Sequence, residues 1–201
     1  MTAGDGQVSR PEVMRQCRRG RSGYRLRMSV TDADIASGLA PAGLHFLERV
    51  QGQVSHPLPA GKSAATCRRG DGRFDSRPDE IVNVDDPDLP ARVNAGWWRM
   101  ATEYGLFDKQ REFLLAVDYR EPDAVEPENA WVRVRLLDDW DLAGSGVATF
   151  RSYFAGLFTD RFVPEFTMVS LDGRVLLNTT VWGNGTVSTI AIRPGQAPDH
   201  Q

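Results

Sequence analysis

The sequence predicts an α+β domain in which helices pack on one face of a mostly antiparallel sheet, in the order ααββαβββ. Three observations carry this expectation. The last third alternates apolar and polar residues around two hairpin-turn signals, Asp172-Gly173 and Asn184-Gly185. Asp85-Asp86-Pro87-Asp88-Leu89-Pro90 opens a helix with acidic residues at the positive end of its dipole. Within residues 130–137, Val132, Val134 and Leu136 alternate with Trp131, Arg133 and Arg135, as in a half-exposed strand.

Residues 1–27 hold seven Arg against Asp5 and Glu12, a local charge of +5 in a chain of net charge −3, and read as a disordered basic tail. Met28 offers an alternative start of translation. Thr31 followed by Asp34 opens a helix reaching about Val50, interrupted at Gly38, Pro41 and Gly43, with a second start near Pro41. Leu44, Leu47 and Val50 form its apolar stripe. Residues 52–84 are rich in Gly, Ser, Pro and Arg and read as a long loop. The next helix takes Asp88 as N-cap and runs to about Gly105, with Val93, Trp97, Met100 and Tyr104 at helical spacing. Strands at 112–119 and 130–137 flank a loop bearing Pro122 and Pro127. Ser145 caps a third helix with the stripe Val147, Phe150, Phe154, Leu157 and Phe158, and Pro164 ends it. One domain therefore spans 28–194, and 195–201 form a second disordered tail.

Residues 166–192 read as a C-terminal three-stranded meander. Two-residue turns pair Ser170 with Val175 and Met168 with Leu177, then Trp182 with Val187, Thr179 with Ile190 and Leu177 with Ile192. This register gathers Phe166, Met168, Val175, Leu177, Val181, Ile190 and Ile192 on a core face. The opposite face carries Thr167, Asn178, Thr180 and Thr189, with Val169, Leu176 and Trp182 among them.

An apolar fraction of 41% is enough for a core, and no apolar run is long enough to span a bilayer. Arginine outnumbers lysine 22 to 2, which fits a high-GC bacterial coding sequence. Cys17 and Cys67 are isolated, without metal-type spacing, as in a protein of the reducing cytoplasm. Arg18-Arg19 lacks the apolar segment that a secretory signal requires.

Asp138-Asp139-Trp140-Asp141 follows a strand, where Asp139 and Asp141 would be candidate catalytic carboxylates. A solvated acidic loop explains the same residues. Gly144-Ser145-Gly146 could cradle phosphate, but it lacks a P-loop ending and an N-cap accounts for it. Of the histidines, His45 lies beside apolar residues and is the remaining catalytic candidate; His56 and His200 fall in weakly patterned segments. Trp97 and Trp98 point about 100° apart on a helix, so one of them is free to line a binding surface, with Trp97 the candidate. Asn178, Thr180 and Trp182, on the mixed sheet face, are the other binding candidates. One aromatic, Tyr24, in the basic tail gives little support to nucleic-acid binding.

These features favour a non-catalytic protein-interaction domain of a bacterial cytoplasmic protein: an inhibitor, an immunity-type protein or an accessory subunit. Its expected partner is a protein, with no cofactor and no metal. The alternative is a domain that binds or transforms a small molecule. The element order resembles the cone-shaped architecture of nuclear-transport-factor-2-like domains, which implies a pocket between helices and a curved sheet. Asp139, Asp141, His45 and Trp97 would serve that pocket. Oligomeric state is left open.

Overall fold

The computed structural model describes residues 30–58, 77–78, 80–118 and 129–193. The basic tail, the C-terminal tail, both cysteines and His200 lie outside them. Among the described residues, two helices, α1 (Asp32–Leu39) and α2 (Leu89–Tyr104), accompany eight strands. The strands are β1 (Leu44–Arg49), β2 (Arg77–Pro78), β3 (Val82–Asn83), β4 (Glu112–Asp118), β5 (Asn129–Leu136), β6 (Phe166–Val169), β7 (Leu176–Trp182) and β8 (Thr186–Ile192). They form one sheet in the order β1-β5-β4-β6-β7-β8-β2, with β3 also on β8, and every pairing is antiparallel. The fold is thus a sheet-rich α+β fold.

Thr31 caps α1 with a reciprocal capping box to Asp34. The helix passes into a short 3-10 turn, Ala40–Ala42, and Gly43 ends it in a left-handed conformation, φ 73°. The following residues are a strand, not the second half of a helix. Leu44, Leu47 and Val50 match a helical period, yet Leu44 and Phe46 equally match a strand period, and a run this short is ambiguous. Pairing with β5 decides it, with Leu44 opposite Leu136 and a bulge between Phe46 and Glu48. The segment expected to be a long loop also contributes β2 and β3. Val82 and Val84 are buried there beside Leu89 and Val93 of α2.

The expected third helix is absent. Residues 145–158 form two short 3-10 turns, Ala148–Phe150 and Phe154–Leu157. Between them the chain is extended and bonded to the stretch before β6, with Ser152 N donating to Val163 O (2.9 Å) and Glu165 N to Phe150 O (2.7 Å). Gly146 is left-handed (φ 69°) and Gly156 weakens helix propensity, so cross-chain bonding wins. The apolar stripe splits as a result: Val147 and Phe150 are buried, whereas Phe154, Leu157 and Phe158 are exposed.

The β6-β7 hairpin keeps its expected register, with Met168 opposite Leu177. Its turn is not type I′: Gly173 is left-handed but Asp172 is not, and Gly173 N donates to Ser170 O (2.8 Å). The β7-β8 register differs by one residue. Gly183-Asn184-Gly185 is a three-residue loop in which Gly185 alone is left-handed, so Trp182 faces Thr186 and Leu177 faces Ala191. A one-residue slip exchanges faces. Ile190 and Ile192 therefore leave the expected core face and join Val54, Val169 and Leu176 on the other side.

Both sides of the sheet are consequently apolar. One side meets α1 and α2 in a core that includes Leu39, Trp97, Met100, Phe113, Leu115, Val134, Met168 and Leu177. The other is covered by residues 50–58, which bring Val50, Val54 and Leu58 onto it, along with Leu114, Trp131 and Trp182. Ser55 passes so near the β6-β7 turn that a Cβ on Gly173 would lie 2.8 Å from its carbonyl oxygen.

Candidate functional site

The acidic loop after β5 is held by its surroundings. Asp138 pairs with Arg111 (2.7 Å), while Asp139 is exposed. Asp141 Oδ1 accepts from Asn94 Nδ2 and from Gly144 N, both at 2.6 Å, and Asn94 Oδ1 accepts from Ala143 N (3.0 Å). Asn94 thus ties the loop to α2, and Asp141 organises the turn. Ser145 caps no helix; its Oγ accepts from Val147 N within the loop (3.4 Å). His45 is exposed on β1 opposite Arg135, not on a helix. Among the described residues, no three His, Cys, Asp or Glu side chains gather as a metal site would require.

Of the adjacent tryptophans, Trp97 is the buried one. Its ring lies 5.2 Å from Trp140, 5.7 Å from Phe107 and 6.3 Å from Phe113, deep in the core under the sheet. Trp98 reaches the surface, stacked on Trp140 at 5.5 Å with the Arg111 guanidinium 5.4 Å from its ring centre. Arg111 holds φ 61°, a conformation that costs a non-glycine residue about 1–2 kcal/mol. Its cation–π contact and the Asp138 pair oppose that cost.

Asn178 and Thr180 are buried, and together with Trp182 they bond inside the protein. Thr167 Oγ1 donates to Asn178 Oδ1 (2.7 Å), Thr180 Oγ1 to Glu165 Oε1 (2.8 Å) and Trp182 Nε1 to Ser188 Oγ (2.8 Å). The face that looked vacant in the sequence has structural work.

A charged cluster lies on the outer face of β1, β5 and β4. The Glu112 carboxylate is buried and accepts from Arg135 (2.6 Å) and Arg133 (2.5 Å), and Arg133 also reaches Glu48 (3.2 Å). The hydrogen bond from Arg135, followed by that from Arg133, holds its carboxyl below the usual glutamate range against the opposing effect of burial. A lowered folded-state pKa contributes stability above the unfolded-state value, about 4.3, and loses it as pH falls through the folded value. Wild-type protein should therefore lose stability on acidification below about pH 4 more steeply than Glu112→Gln, as read by urea unfolding across pH. Parallel acid limbs would contradict this coupling.

The surface feature that sequence reasoning missed is a projection at the second 3-10 turn. Tyr153 is 73% exposed, Phe154 43%, Leu157 75% and Phe158 37%. Ala155 between them is buried against Val163, and the Phe154 and Phe158 rings meet edge to face at 5.6 Å. Phe158 also packs on Gly185 at the β7-β8 turn. The other large exposed apolar side chains, such as Ile81, Leu137 and Leu171, are dispersed along the chain. The available signal was Gly156 within the stripe, which marks a turn where a helix was expected.

No family model, curated protein or solved structure matches this chain. Among the described residues, no helix is long and apolar enough to cross a membrane.

Proposed function

We propose that this chain is a protein-binding domain of the inhibitor, immunity-type or accessory-subunit kind, docking through the projection formed by residues 153–158. The observation that supports this is the exposure of Tyr153, Phe154, Leu157 and Phe158 within one six-residue stretch. Large apolar side chains clustered in water are unfavourable unless something covers them, and such clusters mark contact surfaces. Aromatic anchors with few rotatable bonds are also what dominates binding energy at interfaces. The pocket reading relied on Asp139, Asp141, His45 and Trp97; Asp141 holds a loop and Trp97 fills the core, while Asp139 and His45 are exposed, and the docking reading is carried forward.

Leu157→Asp tests it. With most of its side chain already in water, the substitution should shift the melting temperature by no more than about 2 °C. The wild-type chain is expected to copurify with one stoichiometric partner from its native cells, and the variant to lose it. Equal partner recovery with the variant would refute the assignment.

A further inference from the structure

We propose, resting on the docking reading above, that the partner is a folded protein offering an apolar cleft with a basic rim, into which the Leu157 projection inserts. Leu157 is 75% exposed and Tyr153 73%. Side chains this exposed lose their contact with water only against a surface that encloses them, so the cleft is assigned to the partner.

The projection is also fixed in place. Phe158 N and Thr159 N both donate to Ala155 O, at 2.9 and 3.0 Å. Ser152 Oγ accepts from Ala155 N (3.3 Å) and donates to Glu165 (2.7 Å). A preordered element loses little conformational freedom on insertion.

Charge identifies the rim. Arg161 Nη1 donates to the carbonyl oxygens of Asp85 (2.8 Å) and Asp86 (3.3 Å), which sets the 85–88 loop beside the projection. Asp85, Asp88 and Asp160 are exposed there and make no ion pair among the described residues. Asp86 and Glu80 share one cation, Arg92. Among the described residues named here, five carboxylates (Glu80, Asp85, Asp86, Asp88 and Asp160) stand against three guanidinium groups (Arg92, Arg151 and Arg161). This sign repels anionic lipid and nucleic acid. It also opposes a symmetric contact with a second copy, which would bring the same carboxylates together.

The test places a photoreactive benzophenone side chain at the position of Leu157 and, as control, at exposed Lys109 in the full chain, in its native cells. The expected result is one protein cross-linked from the first position and not from the second, attached at an apolar cleft flanked by Lys or Arg. In titrations of that purified pair, Asp85→Asn combined with Asp160→Asn should weaken binding about five- to tenfold at low salt, with the difference vanishing at high salt. A cross-link to a second copy, to lipid or to nucleic acid overturns the inference. A protein partner lost with Leu157→Asp but indifferent to the double variant also overturns the basic rim, while leaving the docking reading intact. No cross-link from the Leu157 position overturns both.

Discussion

Gly43→Ala is expected to destabilise the protein by about 3–5 kcal/mol, a large share of the 5–15 kcal/mol that holds an ordinary domain folded. A Cβ at this position would lie 2.3 Å from Asp139 O, 2.5 Å from Trp140 Cα and 2.7 Å from Trp140 Cβ. None of these atoms is the end of a flexible side chain. The left-handed φ of 73° adds a cost of about 1–2 kcal/mol for any residue with a Cβ. Relaxation is blocked from both sides. Leu137 N donates to Gly43 O (2.9 Å), Asp141 N donates to Ala42 O (3.2 Å), and the Trp140 ring is held against Trp97 and Trp98. Urea unfolding measures the effect, and an unchanged midpoint would show that the loop after β5 does not press on this turn.

Phe150→Asp is expected to abolish cooperative unfolding altogether. Phe150 is fully buried, with its ring 5.3 Å from Phe166. Loss of a buried phenylalanine side chain costs about 3–5 kcal/mol by itself. The aspartate adds the penalty of an unpaired buried carboxylate, which proteins avoid by unfolding or by holding the proton. Phe150→Leu, which keeps most of the volume, should cost only about 1–2 kcal/mol. A Phe150→Asp protein with a sharp thermal transition near that of wild type would contradict the packing described for this turn.

The contrast between Phe150 and Leu157 shows how much of this protein was legible in its sequence. Both residues lie on one apolar stripe at helical spacing, and the sequence places them on one buried face. The chain instead becomes extended at Arg151 and pairs its 150–152 backbone with 163–165, so one residue enters the core and the other leaves it. Strand pairing between segments distant in sequence produced that outcome, and no local pattern records it. The same holds at Leu44–Arg49, where β5 supplies the partner that makes a strand of an ambiguous run.

Local signals succeeded where a single residue sets geometry. Thr31 and Asp34 mark the start of α1, and the helix expected from Asp88 to Gly105 is α2. Met168 faces Leu177 as the first hairpin signal requires. At Gly183-Asn184-Gly185 the expected two-residue turn forms instead as a three-residue loop, and the hydrogen bond from Val84 N to Gly185 O (3.0 Å) belongs to that arrangement. That one residue moved Ile190 and Ile192 across the sheet. Asn178 lies opposite Ile190 in the pairing formed, and both Asn178 and Thr180 are buried. Charged contacts such as Glu112 with Arg133 and Arg135 depend on pairing between β4 and β5, which the alternation of each strand alone does not reveal.

The most direct measurement is partner affinity for Leu157→Ala beside Leu171→Ala, each compared with wild type at matched thermal stability. Leu171 is another exposed leucine, at the β6-β7 turn and outside the projection. Loss of a docking anchor should weaken binding by more than about 30-fold, and loss of the control side chain by less than about twofold. Equal effects from the two substitutions, or no effect from Leu157→Ala, would contradict the assignment of the projection as the contact surface.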